Sequence, residues 1–163
     1  STLDRSSAAS DVYKRQVQAV GFSTRSSLAS LPTMFAAAEQ LKLFPQVSGL
    51  VLPVAAATFK FASPIGRTAG TYFVAALYGI ALGPVETAVI AGAIGLTSFY
   101  SPGIPSGGLI VMTPVYLSFG LPVDGIGLLI ALDLIVDMFI TAANVTADVT
   151  VATILSQRGE GRG

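Results

Sequence analysis

The stretch that decides the fold is DLIVDMFITAANVTAD, residues 133–148, in the last apolar segment of the chain. Its polar side chains recur at steps of four, four, three and four, which in an α-helix place them on one face along about 22 Å of axis. That face consists of Asp133, Asp137, Thr141, Asn144 and Asp148, and the opposite face is Leu, Ile, Val, Met, Phe and Ala. The segment predicts a helix whose polar face meets water, a cation or a basic partner, or else hydrogen-bonds to neighbouring helices in a purely structural role.

Composition places this helix in a membrane protein. Hydrophobic residues make up 52% of the 163 residues and charged residues only 11%, less than half of the roughly 25% typical of soluble domains. Such a chain cannot cover itself with a solvated surface, so lipid is the expected solvent. Histidine and cysteine are absent, which excludes His-based triads, His-ligated metal sites and thiolate chemistry. The net charge is zero without a basic tract, so nucleic-acid binding is not expected.

Most apolar segments are half the length that a membrane span needs, and they meet at tips rich in Ser, Gly and Pro. The sequence predicts a first hairpin (17–41, truncated), a broken helix (43–80), a second hairpin (85–119), a last helix (122–157) and a polar tail (158–163). Non-helical backbone at membrane depth is tolerated only where it is packed in protein or lines a cavity. The predicted fold is therefore an all-α membrane protein with two re-entrant helical hairpins, one broken transmembrane helix and one amphipathic transmembrane helix; ordinary Pro and Gly kinks are the alternative.

Charged residues at the ends of these segments predict an orientation. Lys42, Arg158 and Arg162 fall on one side of this topology, and Glu86 and Asp124 fall on the other. By the positive-inside rule the C-terminus is then cytoplasmic.

Residues 1–16, STLDRSSAASDVYKRQ, are polar and have no apolar period. The part SAASDVYKRQ resembles translated sequencing-adapter sequence on metagenomic gene fragments. We therefore predict that residues 1–16 are non-native or disordered, and that residues 17–157 form one functional core within a fragment.

The polar face resembles the last transmembrane helix of the glutamate-transporter-like dicarboxylate/amino acid:cation symporters (sodium:dicarboxylate symporters), whose pattern is D-x-x-x-D-x-x-R-T-x-x-N-x-x-x-D. TRSSLASLP (24–32) resembles the tip of that family's first hairpin, SPGIPSGG (101–108) the tip of the second, and LPVAAATFKFAS (52–63) its broken seventh helix. The resemblance implies the C-terminal transport core of a secondary symporter in a prokaryotic inner or plasma membrane. It would carry a small dicarboxylate or amino acid with Na⁺ or H⁺, by elevator-like movement against a missing N-terminal scaffold. Full-length relatives form homotrimers, and the resemblance implies no cofactor beyond a sodium ion.

The resemblance also implies site residues. A substrate site would comprise Ser26, Ser27, Ser63, Gly103, Asp137, Thr141 and Asn144, with Arg25 and Lys60 as further candidates. Asp137 would suit an amino group, and Asn144 and Asp148 would help to bind sodium. The segment Ser98 to Gly108 would form a moving gate.

Three departures from the family pattern bear on this chemistry. Ile140 stands where members that carry acidic substrates have an arginine, so the solute loses a bidentate carboxylate partner. Phe59 and Phe61 replace an Asn and an Asp of the sodium sites, so we expect at least one sodium site to be absent or weakened. At the first tip, Leu28 and Ala29 replace a serine and a glycine.

Lys60, between the two phenylalanines, is a candidate for a built-in cation. Its ammonium can replace one sodium ion or pair with Asp133 or Asp137; the alternative is that it snorkels or contacts lipid headgroups. Arg67, further along the broken helix, is a second candidate for the cation that binds the solute.

Two other functions fit parts of the sequence. An intramembrane aspartyl hydrolase would use Asp133 and Asp137, but these lie one turn apart on one helix, whereas a catalytic pair usually faces across two elements. We therefore expect no enzyme. A transport-incompetent or channel-like relative with the same fold is the nearer alternative.

Overall fold

The structure, a computed structural model, describes residues 2–100 and 106–160, and it describes side chains for residues 11–99 and 106–158. Within those residues it contains seven α-helices and no strand. The helices are α1 Thr2–Thr24, α2 Leu31–Gln40, α3 Pro45–Thr58, α4 Ala62–Leu77, α5 Pro84–Tyr100, α6 Gly107–Ser118 and α7 Val123–Glu160. The prediction of an all-α protein is confirmed.

The break between α3 and α4 follows from the local sequence. Phe59 leaves the helical region, with φ −90° and ψ 82°. Pro64 then lies in the first turn of α4, where its missing N–H leaves no helical hydrogen bond unmade. A helix therefore stops and restarts in the middle of one apolar segment, and its backbone groups at the break are free to bind side chains.

Helix α7 is the centre of the fold and packs against α1, α2, α3, α4 and α6. One apolar cluster surrounds its C-terminal half and includes Met34, Leu52 and Val149. A second cluster surrounds its N-terminal part and includes Met112 and Leu129. The polar face of α7 lies between these two clusters, in the middle of the bundle.

The broken helix runs alongside α7 in the opposite direction. At one end, the backbone N–H of Phe44 donates to Oγ of Ser156 at 2.9 Å. At the other end, Gly125 lies under Tyr78 and Val74, close enough that a Cβ at Gly125 would be 3.1 Å from both. The hairpin α1–α2 packs with the Ser156 end of α7, and the hairpin α5–α6 with the Gly125 end.

The surface of this bundle is apolar while its interior is charged. Large side chains such as Leu50, Ile65, Leu96 and Phe139 are more than 60% exposed, whereas five charged side chains are buried. Two helical stretches, Pro45–Leu77 and Val123–Arg158, are long and apolar enough to cross a membrane, and Pro84–Phe99 and Gly107–Ser118 are shorter apolar helices. This distribution is the one expected of a protein surrounded by lipid or by other apolar protein.

Two boundaries differ from the sequence prediction. Helix α1 begins at Thr2, and Tyr13 packs against the first apolar cluster, so residues 2–16 are helical rather than disordered; their non-native origin stays a prediction. The predicted tip Ser98 to Gly108 is shorter, because Ser98 continues α5 with its hydroxyl donating to the carbonyl of Ile94 at 2.7 Å. Residues 107–108 already belong to α6, and 101–105 lie outside the described residues.

Candidate functional site

The five side chains that form the predicted polar face of α7 all turn inward. Asp133, Asp137, Thr141, Asn144 and Asp148 are each at most 7% exposed, and Asp148 is 0% exposed. Burial of three carboxylates in one bundle is costly unless cations or hydrogen-bond donors face them. The surroundings of each carboxylate therefore identify what this site is built to hold.

Asp137 interacts with residues from both hairpins. It accepts a backbone hydrogen bond from Ser106, just before α6, and it interacts electrostatically with Arg25 of the first tip and Arg67 of α4. Its Oδ2 has no hydrogen-bond partner among the described residues. Sequence analysis selected Asp137 and Arg25 but missed Ser106, whose backbone contribution has no side-chain signature.

Arg67 is the most buried basic side chain of the site, at 7% exposed. Its guanidinium lies directly against Gly108, so that a Cβ added there would clash with Cζ. Nε and Nη1 of Arg67 and Oδ2 of Asp133 all lack hydrogen-bond partners in the described part of the chain. The two side chains share a cavity of about 30 Å³, which has room for a water molecule between them.

Ile140 occupies the place on the polar side of α7 where the family pattern has an arginine. Its side chain packs onto Gly66 of α4 so closely that any Cβ at Gly66 would clash with Cδ1. The space beside the polar face is thus filled by an aliphatic group, and the positive charge comes instead from the next residue of α4, Arg67. Gly66 had no signal in the sequence, because its role depends on a contact across 74 residues.

Lys60 and Asp148 form the second charged part of the site. Lys60, 8% exposed, donates from Nζ to the carbonyl of Ala56, and it is attracted first by Asp148 and then by Asp137. Neither oxygen of Asp148 has a hydrogen-bond partner within the described residues. The structure therefore places the predicted built-in cation within electrostatic range of the deepest carboxylate.

Asn144 joins α7 to the start of α4. Its Oδ1 accepts from the backbone N–H of Ala62 at 3.0 Å, and its Nδ2 donates to Oγ of Ser63 at 3.4 Å. Asn144 and Ser63 are both predicted site residues, and the structure places them together. The amide of Asn144 is thus engaged in holding the broken helix.

The predicted first-tip residues are arranged mostly by local contacts. Oγ of Ser26 accepts from the backbone N–H of Ala29 at 3.2 Å, and Ser27 is buried. Arg25 is half-buried and has a positive φ of 52°. Gly103, the predicted site residue of the second tip, lies outside the described residues.

A roomy groove is lined by residues outside this charged cluster. It has a volume of about 600 Å³ and is lined by apolar and uncharged side chains, among them Phe59, Phe61 and Thr146. No group of three or more acidic side chains able to hold a metal ion occurs in the described ranges. Recognition of a charged solute needs charged side chains. The cluster around Asp137 is therefore the better candidate site, although the cavity between Arg67 and Asp133 is small.

Comparisons with known proteins show what the chain is similar to. Residues 12–158 match a family model described as the sodium:dicarboxylate symporter family. The chain is 30% identical over 138 residues to the neutral amino acid transporter B(0) of Mus musculus, covering 84% of this chain and 25% of that protein. It is 30% identical to excitatory amino acid transporter 2 of Homo sapiens, covering 84% and 24% respectively. It is also 30% identical over 145 residues to an excitatory amino acid transporter of Caenorhabditis elegans, covering 88% and 28%. The chain thus spans about a quarter of the length of these relatives.

Proposed function

The chain belongs to the sodium:dicarboxylate symporter family, and from this premise we propose that the full-length protein carries a small dicarboxylate or amino acid across a membrane together with a cation. Membership confirms the family that the motifs predicted, and this family is one of symporters rather than enzymes. The observation that carries the proposal is the meeting of Asp137 with Arg25, Arg67 and Ser106 between two hairpin tips. The names of the relatives, neutral and excitatory amino acid transporters, support an amino acid as the solute.

Charge complementarity gives the site residues their proposed roles. Asp137 accepts a hydrogen bond from an amino group, and Arg67 presents a guanidinium fork to a carboxylate. Arg25 also interacts electrostatically with Asp137, so a second carboxylate has a partner as well. Ser27, Ser63, Thr141 and Asn144, with Ser26 at the tip, are proposed as neutral hydrogen-bonding groups around the solute. This arrangement supports a zwitterionic or dianionic solute despite the loss of arginine at Ile140.

The size of the cavity supports a moving part. The space of about 30 Å³ between Arg67 and Asp133 is too small for any amino acid, so we propose that the solute reaches these two side chains only when one tip moves away. Gly108 at the start of α6 lies directly against the guanidinium of Arg67. We therefore propose that the second hairpin, which contains Gly108, is the gate. Elevator-like movement of the whole core against a scaffold, and assembly as a homotrimer, are proposed from the family resemblance alone.

The chain is part of an integral membrane protein, as its family and its two spanning helices indicate. We propose a prokaryotic inner or plasma membrane with the C-terminus in the cytoplasm, an orientation that Lys42 and Arg158 support. The coupled cation is proposed to be sodium, with H⁺ as the alternative. By resemblance Asn144 and Asp148 would take part in binding it in a member without Lys60, whose ammonium here competes for Asp148.

Uptake by the reconstituted full-length protein tests this proposal. Proteoliposomes are given radiolabelled dicarboxylates, acidic amino acids and neutral amino acids, with a sodium gradient, a proton gradient or neither. We expect gradient-driven accumulation of at least one of these solutes. Replacing Arg67 by Met is expected to raise KM by about 30- to 100-fold, since a charge-assisted hydrogen bond contributes about 2–3 kcal/mol; Asp137→Asn should act similarly.

Exposed residues of like charge provide the matched controls. Arg158→Met and Asp124→Asn remove the same charges at exposed positions, and we expect them to leave KM unchanged. Passive anion conductance without accumulation or counterflow would instead identify a channel-like relative. The presence of Phe59 and Phe61 in place of sodium ligands favours that alternative, because it weakens coupling to sodium. Absence of both transport and conductance for every solute class would refute the proposal.

A further inference from the structure

Lys60 lies in the break between α3 and α4, at the end of the first half-helix. We propose that its ammonium is a tethered cation that occupies the site formed by Asp148 and the last carbonyls of α3, so that no sodium ion binds to Asp148. This inference rests on the proposed function and concerns its coupling: the protein needs one sodium ion fewer than a member with an open site.

The first support is the backbone at the end of α3. The last carbonyls of a helix have no intrahelical donors and carry its partial negative charge, and in broken transporter helices such carbonyls coordinate cations. Here the N–H of Lys60 turns to the carbonyl of Thr58 at 3.2 Å, which leaves the carbonyl of Ala56 without its helical donor. Nζ of Lys60 binds that carbonyl. The ammonium thus lies where the end of the half-helix favours a cation.

The second support is the isolation of Asp148. Its side chain is fully buried, and both carboxylate oxygens lack hydrogen-bond partners among the residues described. A buried carboxylate in this condition is stable as an anion only near a positive charge. Lys60 supplies it, and Lys60 is itself acted on by Asp148, Asp137 and Arg67. The attraction is therefore mutual and places a compensating charge inside the protein.

The third support is the poor fit of the remaining side chains to sodium. Phe59 and Phe61 stand where the family pattern has Asn and Asp; their rings are 6.0 Å apart and partly exposed. Neither side chain offers an oxygen. The amide of Asn144 already holds Ala62 and Ser63. A sodium ion would find the carboxylate of Asp148 and a few carbonyls, and it would compete there with a buried ammonium whose strongest electrostatic attraction is to Asp148.

The test removes the charge while keeping the length of the side chain. Lys60→Met in the full-length protein leaves Asp148 without a cation, and sodium is then expected to take the vacated place. The first readout is the melting temperature in detergent with sodium or choline chloride, since a ligand that binds the native state stabilises it. We expect the sodium-dependent rise to be larger by a few degrees in Lys60→Met than in the wild type. Lys42→Met, at an exposed position, is the matched control and should behave as the wild type.

The second readout is coupling. The number of sodium ions moved per solute, from parallel ²²Na and solute fluxes, should be one higher in Lys60→Met than in the wild type. In the wild type, Asp148→Asn should leave the sodium dependence of the melting temperature unchanged, because sodium does not contact that carboxylate. A loss of sodium stabilisation in Asp148→Asn, or an unchanged sodium response in Lys60→Met, overturns the inference.

A double variant keeps the test decisive if Lys60→Met does not fold. Lys60→Met with Asp148→Asn removes both charges, so a folded double variant without sodium stabilisation at this site supports the pairing. Failure of the double variant as well means that Lys60 acts through packing, which contradicts the inference. If the wild type carries no solute at all, the proposed function fails, while the sodium-linked melting temperatures still decide the role of Lys60.

Discussion

At the residue scale, the buried guanidinium of the site belongs to Arg67 of α4 and not to the polar face of α7. The spacing of Asp133, Asp137 and Asp148 sufficed to predict a buried polar face, because helical periodicity is local information. The role of Arg67 was not predictable in the same way. It depends on Ile140 filling the space above Gly66, and a contact between α4 and α7 leaves no pattern in either segment. The sequence therefore predicted which arginine was missing from the polar face of α7, and it named Arg25, Lys60 and Arg67 as candidate cations without deciding among them.

The contact between Gly66 and Ile140 leads to a prediction about stability. Gly66→Ala improves helix propensity by about 1 kcal/mol, yet the added methyl group overpacks against Cδ1 of Ile140, which typically costs about 1–3 kcal/mol. We expect Gly66→Ala to lower the melting temperature of the full-length protein in detergent. In an Ile140→Ala background the same change should raise it, because the methyl group then fills space.

The control for this prediction is Gly49→Ala in α3, where an added Cβ meets no atom within 4 Å. It should raise the melting temperature slightly in both backgrounds. Equal effects of Gly66→Ala with and without Ile140 would mean that the two residues are not in contact.

At the scale of elements, the positions of Pro and Gly sufficed to predict the half-helices, but they did not predict the residues at which each half-helix ends. Helix α5 continues through Ser98 because its hydroxyl bonds back to the helix, an option that turn-forming residues always have. The tips also hold non-glycine residues in a left-handed conformation, Arg25 at φ 52° and Ser106 at φ 55°. Such backbone costs of order 1 kcal/mol each and persists where the surroundings enforce it. Both tips thus store a small strain where they meet Asp137.

The second hairpin is attached to the broken helix at two places. The hydroxyls of Thr71 and Tyr116 are hydrogen-bonded at 3.0 Å, and Gly108 touches the guanidinium of Arg67. The first contact is deep between α4 and α6, and the second is at the tip. This arrangement suits a hairpin that stays anchored at its base while its tip moves.

Gly108→Ala should therefore act on the solute through Arg67. The new methyl group displaces the guanidinium, so we expect KM for the transported solute to rise in the same direction as in Arg67→Met. The two changes should not add, since both act on the same group. Gly92→Ala in α5, which meets nothing within 4 Å, is the control and should leave KM unchanged. Additive effects of Gly108→Ala and Arg67→Met would show that the tip acts independently of Arg67.

At the scale of the whole molecule, composition predicted the inside-out distribution of polarity, and the structure shows it. Apolar side chains such as Leu96 and Phe139 face outward while Lys60 and Arg67 are buried. Composition cannot divide that apolar surface between lipid and other protein, because both favour the same side chains. The chain spans about a quarter of its relatives, so part of this surface is expected to contact the remainder of the full-length protein.

Orientation in the membrane is the property of the whole molecule that can be tested most directly. The start of α3 adjoins the end of α7 through Phe44 and Ser156, so Lys42 and Arg158 lie at one end of the bundle. The end of α4 adjoins the start of α7, so Asp124 lies at the other end, as does Glu86 in the first turn of α5. The chain contains no cysteine, which permits labelling of single introduced cysteines in a full-length protein freed of any others. We expect a membrane-impermeant maleimide to label Glu86→Cys and Asp124→Cys from outside intact cells, and Lys42→Cys and Arg158→Cys only after permeabilisation. Labelling of Lys42→Cys and Asp124→Cys from the same side would contradict a broken helix that crosses the membrane, whereas a reversed pattern would contradict only the cytoplasmic C-terminus.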